Sequence, residues 1–130
     1  MTSTLAVGRV PDGPADAALP EPAALVAAAC LFRSLGEPSR LAIVAHLMLG
    51  EHRVVELTEH LGLAQSTVSA HLKCLLDCGI VEVRPQGRAS VYSLAVPAQV
   101  LAVLEAAEGL LAATGDAVTV GPRFGAEARS

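Results

Sequence analysis

The sequence predicts a mainly α-helical domain that carries one small β-hairpin. Apolar residues recur at helical spacing in successive segments, and a glycine follows each of the first four. Around residues 80–94 the pattern changes to the alternation of a strand, on both sides of a turn at residues 85–88. Together these observations predict the order helix, helix, short helix, turn, helix, hairpin and final helix.

The first three helices are predicted before residue 62. The first covers residues 22–34, with Pro22 in its first turn, where the missing amide hydrogen costs nothing. The second covers residues 38–49, and its apolar stripe consists of Leu41, Val44, Ala45 and Met48. A short third helix covers residues 54–61 and ends at a glycine.

The fourth helix is predicted over residues 66–78, with Gln65 or Ser66 as its cap and Gly79 after its end. Its inward arc consists of Val68, Leu72, Leu75 and Leu76. Only a few residues, including Gly62, separate the third and fourth helices. With the hairpin that follows, this spacing predicts a winged helix-turn-helix.

The remaining elements complete that architecture. The hairpin strands are predicted over residues 80–84 and 89–94, and the last helix over residues 97–113. We expect residues 1–20, rich in Gly and Pro, to be a disordered arm, residues 21–113 to be the folded domain, and residues 114–130 to be a flexible tail.

Charge weighs mildly against a nucleic-acid partner, because the 130-residue chain has a net charge of −4. However, the region after Pro97 holds four acidic residues against two arginines, whereas Lys73, Arg84 and Arg88 outnumber Asp77 and Glu82 in the predicted reading region. A weakly basic surface of this kind predicts DNA binding that is sensitive to salt.

The cysteine count and hydropathy predict a cytoplasmic protein without a membrane partner. No charge-free apolar run reaches the roughly 18–20 residues that a membrane span needs. Three cysteines form no disulfide framework, so the thiols are available for burial, metal binding or redox chemistry.

Short polar side chains near the start of the fourth helix can approach base edges and phosphates, and the basic hairpin tip can reach along a duplex. The candidates are Gln65, Ser66, Thr67, Ser69 and Lys73 on the helix, Arg84, Gln86 and Arg88 on the hairpin, and Arg40 on the second helix. The alternative is an ordinary amphipathic surface helix, with Arg40 as a surface or salt-bridging residue.

Cys74 and Cys78 lie one helical turn apart, on one face of the fourth helix. Two thiolates at this spacing can share a metal ion. The alternative is a pair of small buried apolar residues. Cys74 projects off the inward arc, which favours the metal site, and Cys78 lies at the margin of that arc. A soft-metal site on a DNA-reading helix predicts a metal-sensing regulator.

Three separated segments resemble the ArsR/SmtB family. They are residues 32–40 (FRSLGEPSR), residues 66–73 (STVSAHLK), and Gly79-Ile-Val together with residues 87–94 (GRASVYSL). The resemblance covers about residues 25–113. It implies a homodimeric winged-helix repressor with its first and last helices at the dimer interface. Double-stranded operator DNA would be released when an effector, commonly a metal ion, binds.

Members of that family place metal ligands at several locations. Residues 54–58 (VVELT) lack the Cys-x-Cys motif of one site, and residues 99–113 lack the His and Asp residues of another. The cysteine pair matches the placement in the CmtR-like cadmium and lead sensors, whose further cysteine comes from the C-terminal region. Here the only other thiol is Cys30, from its own or the partner subunit. The expected inducer is Cd²⁺ or Pb²⁺, with As(III) or Zn²⁺ as alternatives.

The histidines are predicted to have lesser roles. His71 shares the face of the cysteine pair, but the family pattern has a histidine at this place, which favours packing or DNA contact. His46, His52 and His60 have no partners at ligand spacing and are predicted to be surface or half-buried residues.

Other functions stay open at this point. A thiol-redox regulator and a repressor without metal input fit the same scaffold. A helical dimerisation module fits the acidic balance but leaves the hairpin tip unexplained. An enzyme is not expected, because the chain has no Gly-rich phosphate loop, carboxylate pair or Ser/His/Asp set in a plausible setting.

Overall fold

The computed structural model describes residues 18–120, which form five helices and a three-stranded sheet. The helices are α1 (Pro22–Leu35), α2 (Pro38–Met48), α3 (Val54–Leu61), α4 (Gln65–Asp77) and α5 (Pro97–Ala113). The strands are β1 (His52–Arg53), β2 (Val81–Gln86) and β3 (Ala89–Leu94). The predicted fold class and order of elements are confirmed, with one strand more than expected.

The helix starts follow from local sequence. Proline occupies the first turn of α1, α2 and α5, where its fixed φ suits the helix. At α2 the Glu37 side chain also accepts a hydrogen bond from the Arg40 amide at 2.9 Å. At α3 the Arg53 amide donates to Glu56 Oε1 at 2.7 Å, as in a capping box.

The predicted cap of α4 is wrong. Ala64 is the N-cap residue and makes no side-chain capping bond, while Gln65 and Ser66 lie within the first helical turn. The short loop after Gly62 brings the chain into α4 one residue earlier than expected. Consequently both polar side chains stand on the exposed N-terminal turn rather than being used to cap it.

The sheet has β3 at its centre, between β1 and β2, and all pairings are antiparallel. The short β1 strand was not predicted, and it pairs His52 with Tyr92. β2 extends to Gln86, so Pro85 lies in a strand rather than in the turn; an edge strand tolerates this proline. Gly87 opens the remaining two-residue turn with φ of 63°, a conformation that suits glycine.

One apolar core joins α2, α3, α4 and the base of the hairpin. Its fully buried side chains come from three helices of the helix-turn-helix unit: Ile43, Val44, Leu57, Val68, Leu72 and Leu75. Of the predicted inward arc of α4, Leu76 is only half-buried. Since α4 is held by this core along one face, its opposite face stays accessible.

The outer faces of α1 and α5 are apolar and exposed. Phe32 and Leu110 have exposed fractions of 64% and 67% and line one cleft with Leu31 and Val103. Leu25 on α1 is also more than half exposed, at 56%. This face has no cover within the described part of the chain.

The structure describes only part of the two predicted terminal segments. Residues 1–17 of the expected arm and residues 121–130 of the expected tail lie outside the described residues. Residues 114–120 turn back along α5, where the Val120 amide donates to Glu108 Oε2 at 2.8 Å. Between residues 18 and 120, none of the helices has the length and hydropathy to cross a membrane.

Candidate thiol centre and DNA interface

The three cysteines converge where the end of α4 packs against α1. Cys30 Sγ lies 2.6 Å from Cys78 Sγ, so the third predicted thiol reaches the pair from the same chain. Cys78 follows α4 as its C-terminal cap, and its side chain packs against the apolar core. All three cysteines are free and partly buried.

Ser34 is the polar centre of this cluster, which we call the thiol cluster (Cys30, Ser34, Cys74 and Cys78). Its hydroxyl lies 2.7 Å from Cys78 Sγ and 3.6 Å from Cys74 Sγ. Ser34 is only 2% exposed and is the buried polar residue beside an otherwise apolar core. The Ser34 hydroxyl therefore lies between the sulfurs of Cys74 and Cys78.

The contacts of Cys30 favour its protonated thiol. The hydrogen bond with Cys78, followed by desolvation, raises the pKa of Cys30, while the nearby Arg33 guanidinium acts in the opposite direction. Metal ions bind thiolates, so binding here requires that protons be released. Sulfur donors of this kind select soft ions over hard ones.

Arg40 links the thiol cluster to the middle of α4. Its Nε donates to the Ser34 carbonyl at 2.6 Å and its Nη2 to the Arg33 carbonyl at 3.1 Å. Its Nη1 lies 3.2 Å from His71 Nδ1, which must accept because guanidinium nitrogens only donate. Glu37 Oε1 lies 3.7 Å from the other ring nitrogen of His71. Both Arg40 and His71, predicted as DNA contacts, are engaged inside the protein and half-buried.

The other predicted contacts on α4 lie on its exposed face. The residues concerned are Gln65, Ser66, Thr67, Ser69 and Lys73. Lys73 Nζ is 3.3 Å from Asp77 Oδ2, an exposed pair one turn along the helix. The N-terminal half of α4 therefore presents small hydroxyl and amide groups, and its positive helix end, to any ligand on that side.

The hairpin separates two arginines with different surroundings. Arg84 Nη2 makes an ion pair with Glu51 Oε2 at 2.7 Å. Arg88 is exposed in the tip, and no ion pair or hydrogen bond of its side chain occurs within residues 18–120. Gln86 is exposed at the end of β2. The tip thus offers one unneutralised positive charge.

Sequence reasoning missed a second cluster. His46, His52 and His60 were expected to lie apart, yet one ring nitrogen of each falls within 4.8 Å of the others. They come from α2, β1 and α3, so no spacing along one helix could reveal them. The unpredicted β1 strand was the missing signal, since it places His52 beside α2 and α3.

The fold and these surfaces define the class of protein. A short helix, a tight turn and a second helix with an exposed polar face, followed by a basic hairpin, form a winged helix-turn-helix DNA-binding unit. The molecule thus falls in the class of DNA-binding transcriptional regulators.

Comparison with known proteins gives the family. Residues 37–83 match the family described as bacterial regulatory protein, arsR family. The regulator CmtR of Mycobacterium tuberculosis is 38% identical over 97 residues, which cover 75% of this chain and 82% of CmtR. The chain therefore belongs to the arsR family, whose members are transcriptional regulators and not enzymes.

Two further similarities agree. A probable mercury resistance operon repressor of Streptomyces lividans is 42% identical over 66 residues, which span 51% of this chain and only 53% of that repressor. A homodimeric winged helix-turn-helix domain from Mycobacterium bovis superposes with a TM-score of 0.63 at 29% identity, covering 76% of this chain and 95% of that domain. These matches confirm the predicted family and fold.

Proposed function

We propose that this chain is a metal-responsive repressor that binds operator DNA as a homodimer and releases it when a soft metal ion binds the thiol cluster. The observation that carries the proposal is the meeting of Cys30 and Cys78 between α1 and α4. Cys74 completes a set of three sulfur donors. Such a set, and the resemblance to the CmtR-like sensors, favour Cd²⁺ or Pb²⁺ as inducer, with As(III) or Zn²⁺ as alternatives.

The site is proposed to lie within one subunit. Cys30 contacts Cys78 of its own chain, so a partner is not needed to supply the third thiol. The proposed ligands are therefore Cys30, Cys74 and Cys78 of one chain, with the Ser34 hydroxyl positioning two of the sulfurs. We place the protein in the cytoplasm, where these thiols would stay reduced.

The homodimer is proposed to form through the exposed apolar face of α1 and α5. Phe32, Leu110 and their neighbours leave contiguous apolar surface without cover in the described chain. The homodimeric Mycobacterium bovis domain has the same fold. If α1 sits in the interface, the position of α4 relative to α1 sets the separation of the two α4 helices, which must match successive major grooves.

The switch follows from the two connections between α1 and α4. One is the thiol cluster at the C-terminal end of α4, and the other is the hydrogen-bonded path from the Ser34 carbonyl through Arg40 to His71. The exposed DNA-facing residue Thr67 lies about 10 Å along the axis from Cys74, given a rise of about 1.5 Å per residue. Drawing the sulfurs together would shift the C-terminal end of α4 and swing its N-terminal end. Metal binding and DNA binding would then weaken each other reciprocally.

The test is an ultraviolet titration of the reduced protein with Cd²⁺, Pb²⁺ and As(III), repeated with a fluorescent duplex from its own promoter. We expect an intense sulfur-to-metal band that saturates near one ion per chain, with DNA release at the same stoichiometry. A flat titration with intact DNA binding would refute the metal-sensing function and leave the DNA-binding function standing.

A thiol-redox repressor is the second candidate. The contact between the Cys30 and Cys78 sulfurs makes these two cysteines, rather than Cys74 and Cys78, the pair that would form its disulfide. A peroxide would take two electrons from the two thiols, whose sulfurs would join while the peroxide and the two thiol protons leave as water. Release of DNA by peroxide, with mass spectrometry showing a Cys30–Cys78 bridge and no response to metal ions, would select this function.

A further inference from the structure

The histidine cluster (His46, His52 and His60) joins three elements of the DNA-binding unit. His46 lies near the end of α2, His52 in β1 and His60 near the end of α3. The His46 and His60 rings stack with centroids 4.8 Å apart, and the His52 ring stands edge-on to both, at 6.1 Å and 5.4 Å. The cluster is formed by other elements than the thiol cluster.

One ring nitrogen of His52 is already hydrogen-bonded to the backbone, which leaves the other for a metal ion. Its Nδ1 lies 2.7 Å from the Gly50 carbonyl oxygen and must donate there, because a carbonyl can only accept. That bond fixes the tautomer and leaves the lone pair of Nε2 available. Metal-binding histidines commonly use such a bond from the second ring nitrogen to a carbonyl or carboxylate.

At His46 the surroundings favour neutral imidazole, the form that binds metal. Partial burial, followed by the proximity of His60 and His52, lowers the pKa of His46. Three imidazoles packed this closely repel one another once protonated. A shared cation that replaces the protons would remove that repulsion.

We propose that His46, His52 and His60 bind a divalent transition-metal ion of intermediate softness, of which Zn²⁺ fits best, independently of the thiol cluster. Imidazole donors suit such ions, whereas carboxylate and carbonyl oxygens suit Ca²⁺ or Mg²⁺. In a tetrahedral site with Zn–N distances of about 2.0–2.1 Å, ligand nitrogens lie roughly 3.4 Å apart. The present spread of 4.8 Å closes to that value with small side-chain rotations.

Such an ion would brace the DNA-binding unit. His52 lies opposite Tyr92 of β3, the central strand of the hairpin sheet, while His60 belongs to the helix that precedes α4. The bound ion would join the base of the hairpin to the helix-turn-helix. It would stabilise the fold by its binding free energy to the native state.

The test is a Co²⁺ titration of the reduced full-length protein in a phosphine reductant, followed by Zn²⁺ competition. Cobalt bound to sulfur gives charge-transfer bands, whereas cobalt bound by imidazole alone gives only weak visible bands. We expect one ion of the second kind per chain in the wild type. His60→Gln, a change at an exposed side chain, should lower the affinity for that ion at least about tenfold. His52→Gln should do the same.

The matched control is His71→Gln, which changes a histidine outside the cluster and should leave the sulfur-free ion in place. Circular dichroism would verify that each variant is folded. Equal sulfur-free binding by the His60 and His71 variants would overturn the proposal, as would cobalt bands that always include sulfur charge transfer. Because the two kinds of band report separately, failure of the thiol sensor would leave the histidine result readable.

Discussion

The thiol cluster and the histidine cluster differ in how ready they are to bind a metal ion. In the thiol cluster the local contacts raise the pKa of Cys30 and so favour the protonated thiol, which is not a ligand. In the histidine cluster the contacts lower the pKa of His46 and so favour neutral imidazole, which is the form that binds metal. Both shifts favour the neutral side chain, yet only one of the two neutral forms binds metal.

The clusters also differ in what they connect. The thiol cluster lies between α1 and the C-terminal end of α4, and Ser34 joins it to Arg40 and His71. The histidine cluster lies among α2, β1 and α3, and of these elements α2 and α3 pack against α4 in the core. An ion in the first would move the reading helix relative to α1, whereas an ion in the second would brace its support. On this proposal, the position of a bound ion relative to α4 would decide whether that ion acts as a signal.

The largest effect is expected from Cys78→Ser, because Cys78 Sγ contacts both Cys30 Sγ and the Ser34 hydroxyl. We expect Cd²⁺ affinity to fall by at least about 100-fold, the upper end of the range for losing a supporting group, since here a ligand itself is lost. Metal-induced DNA release should disappear, while operator affinity without metal stays within about twofold. The measurements are the sulfur-to-metal band and fluorescence anisotropy of the operator.

Asp77→Asn is the matched control, an exposed neighbour outside the thiol cluster. Cys74→Ser should also abolish release, because a third sulfur is lost. Loss of operator binding in both metal-free cysteine variants would show that the thiols have a structural role instead.

Next in size is Ser34→Ala, which removes the hydroxyl that bridges Cys78 and Cys74. We expect Cd²⁺ affinity to fall about 10- to 100-fold, the range for losing a group that hydrogen-bonds to a metal ligand. The free energy of unfolding should fall by about 1 kcal/mol. Calorimetric titration and urea denaturation measure the two quantities. Ser39→Ala, at a half-buried serine outside both clusters, should leave metal affinity unchanged; an equal loss there would contradict the bridging role.

A smaller effect is expected from Arg40→Lys, which separates metal binding from its consequence. A lysine cannot keep the fork that reaches the Ser34 carbonyl, the Arg33 carbonyl and the His71 ring together. Metal affinity should change little, but the coupling free energy between metal and DNA should fall by about 0.5–2 kcal/mol. It is obtained from operator affinities with and without Cd²⁺.

Arg53→Met serves as the control for Arg40, since Arg53 is an exposed arginine paired with Glu56. Unchanged coupling in the Arg40 variant would mean that the path through His71 does not transmit the signal.

The smallest effect is expected at the hairpin, because none of its residues belongs to either cluster. Arg88→Ala should lower operator affinity a few-fold and reduce the salt slope by about 1, as for one phosphate contact. Arg84→Ala should do less, because Glu51 already neutralises that charge. Both changes should act equally with and without metal. A metal-dependent effect at Arg88 would show that the hairpin takes part in the response to metal, contrary to this prediction.

Sequence patterns predicted which residues share a face of a single helix. The spacing of Val68, Leu72 and Leu75 gave the buried face of α4, and the i, i+4 spacing of Cys74 and Cys78 gave their shared side. Periodicity carries this information because a helix repeats every 3.6 residues.

Periodicity within one element does not predict contacts between different elements. The sequence named Cys30 as the third thiol but left open whether it reaches the pair in its own or the partner subunit. The packing of α1 and α2 against α4 decides that contact, the place of Ser34 between two sulfurs and the inward turn of Arg40. The histidine cluster depends on a two-residue strand, too short to produce an alternation. Arg40, from its place at the start of the second helix, and His71, from the family pattern, were candidate DNA contacts, whereas the packing of α1, α2 and α4 gives them internal partners.

The central claim is that one chain collects three thiolates from α1 and α4 around a single soft ion. X-ray absorption at the cadmium edge, on full-length protein loaded with one Cd²⁺ per chain, tests it most directly. We expect three sulfur neighbours in the wild type and two in Cys30→Ser. An unchanged sulfur count in Cys30→Ser, or a first shell of nitrogen and oxygen alone, would contradict it.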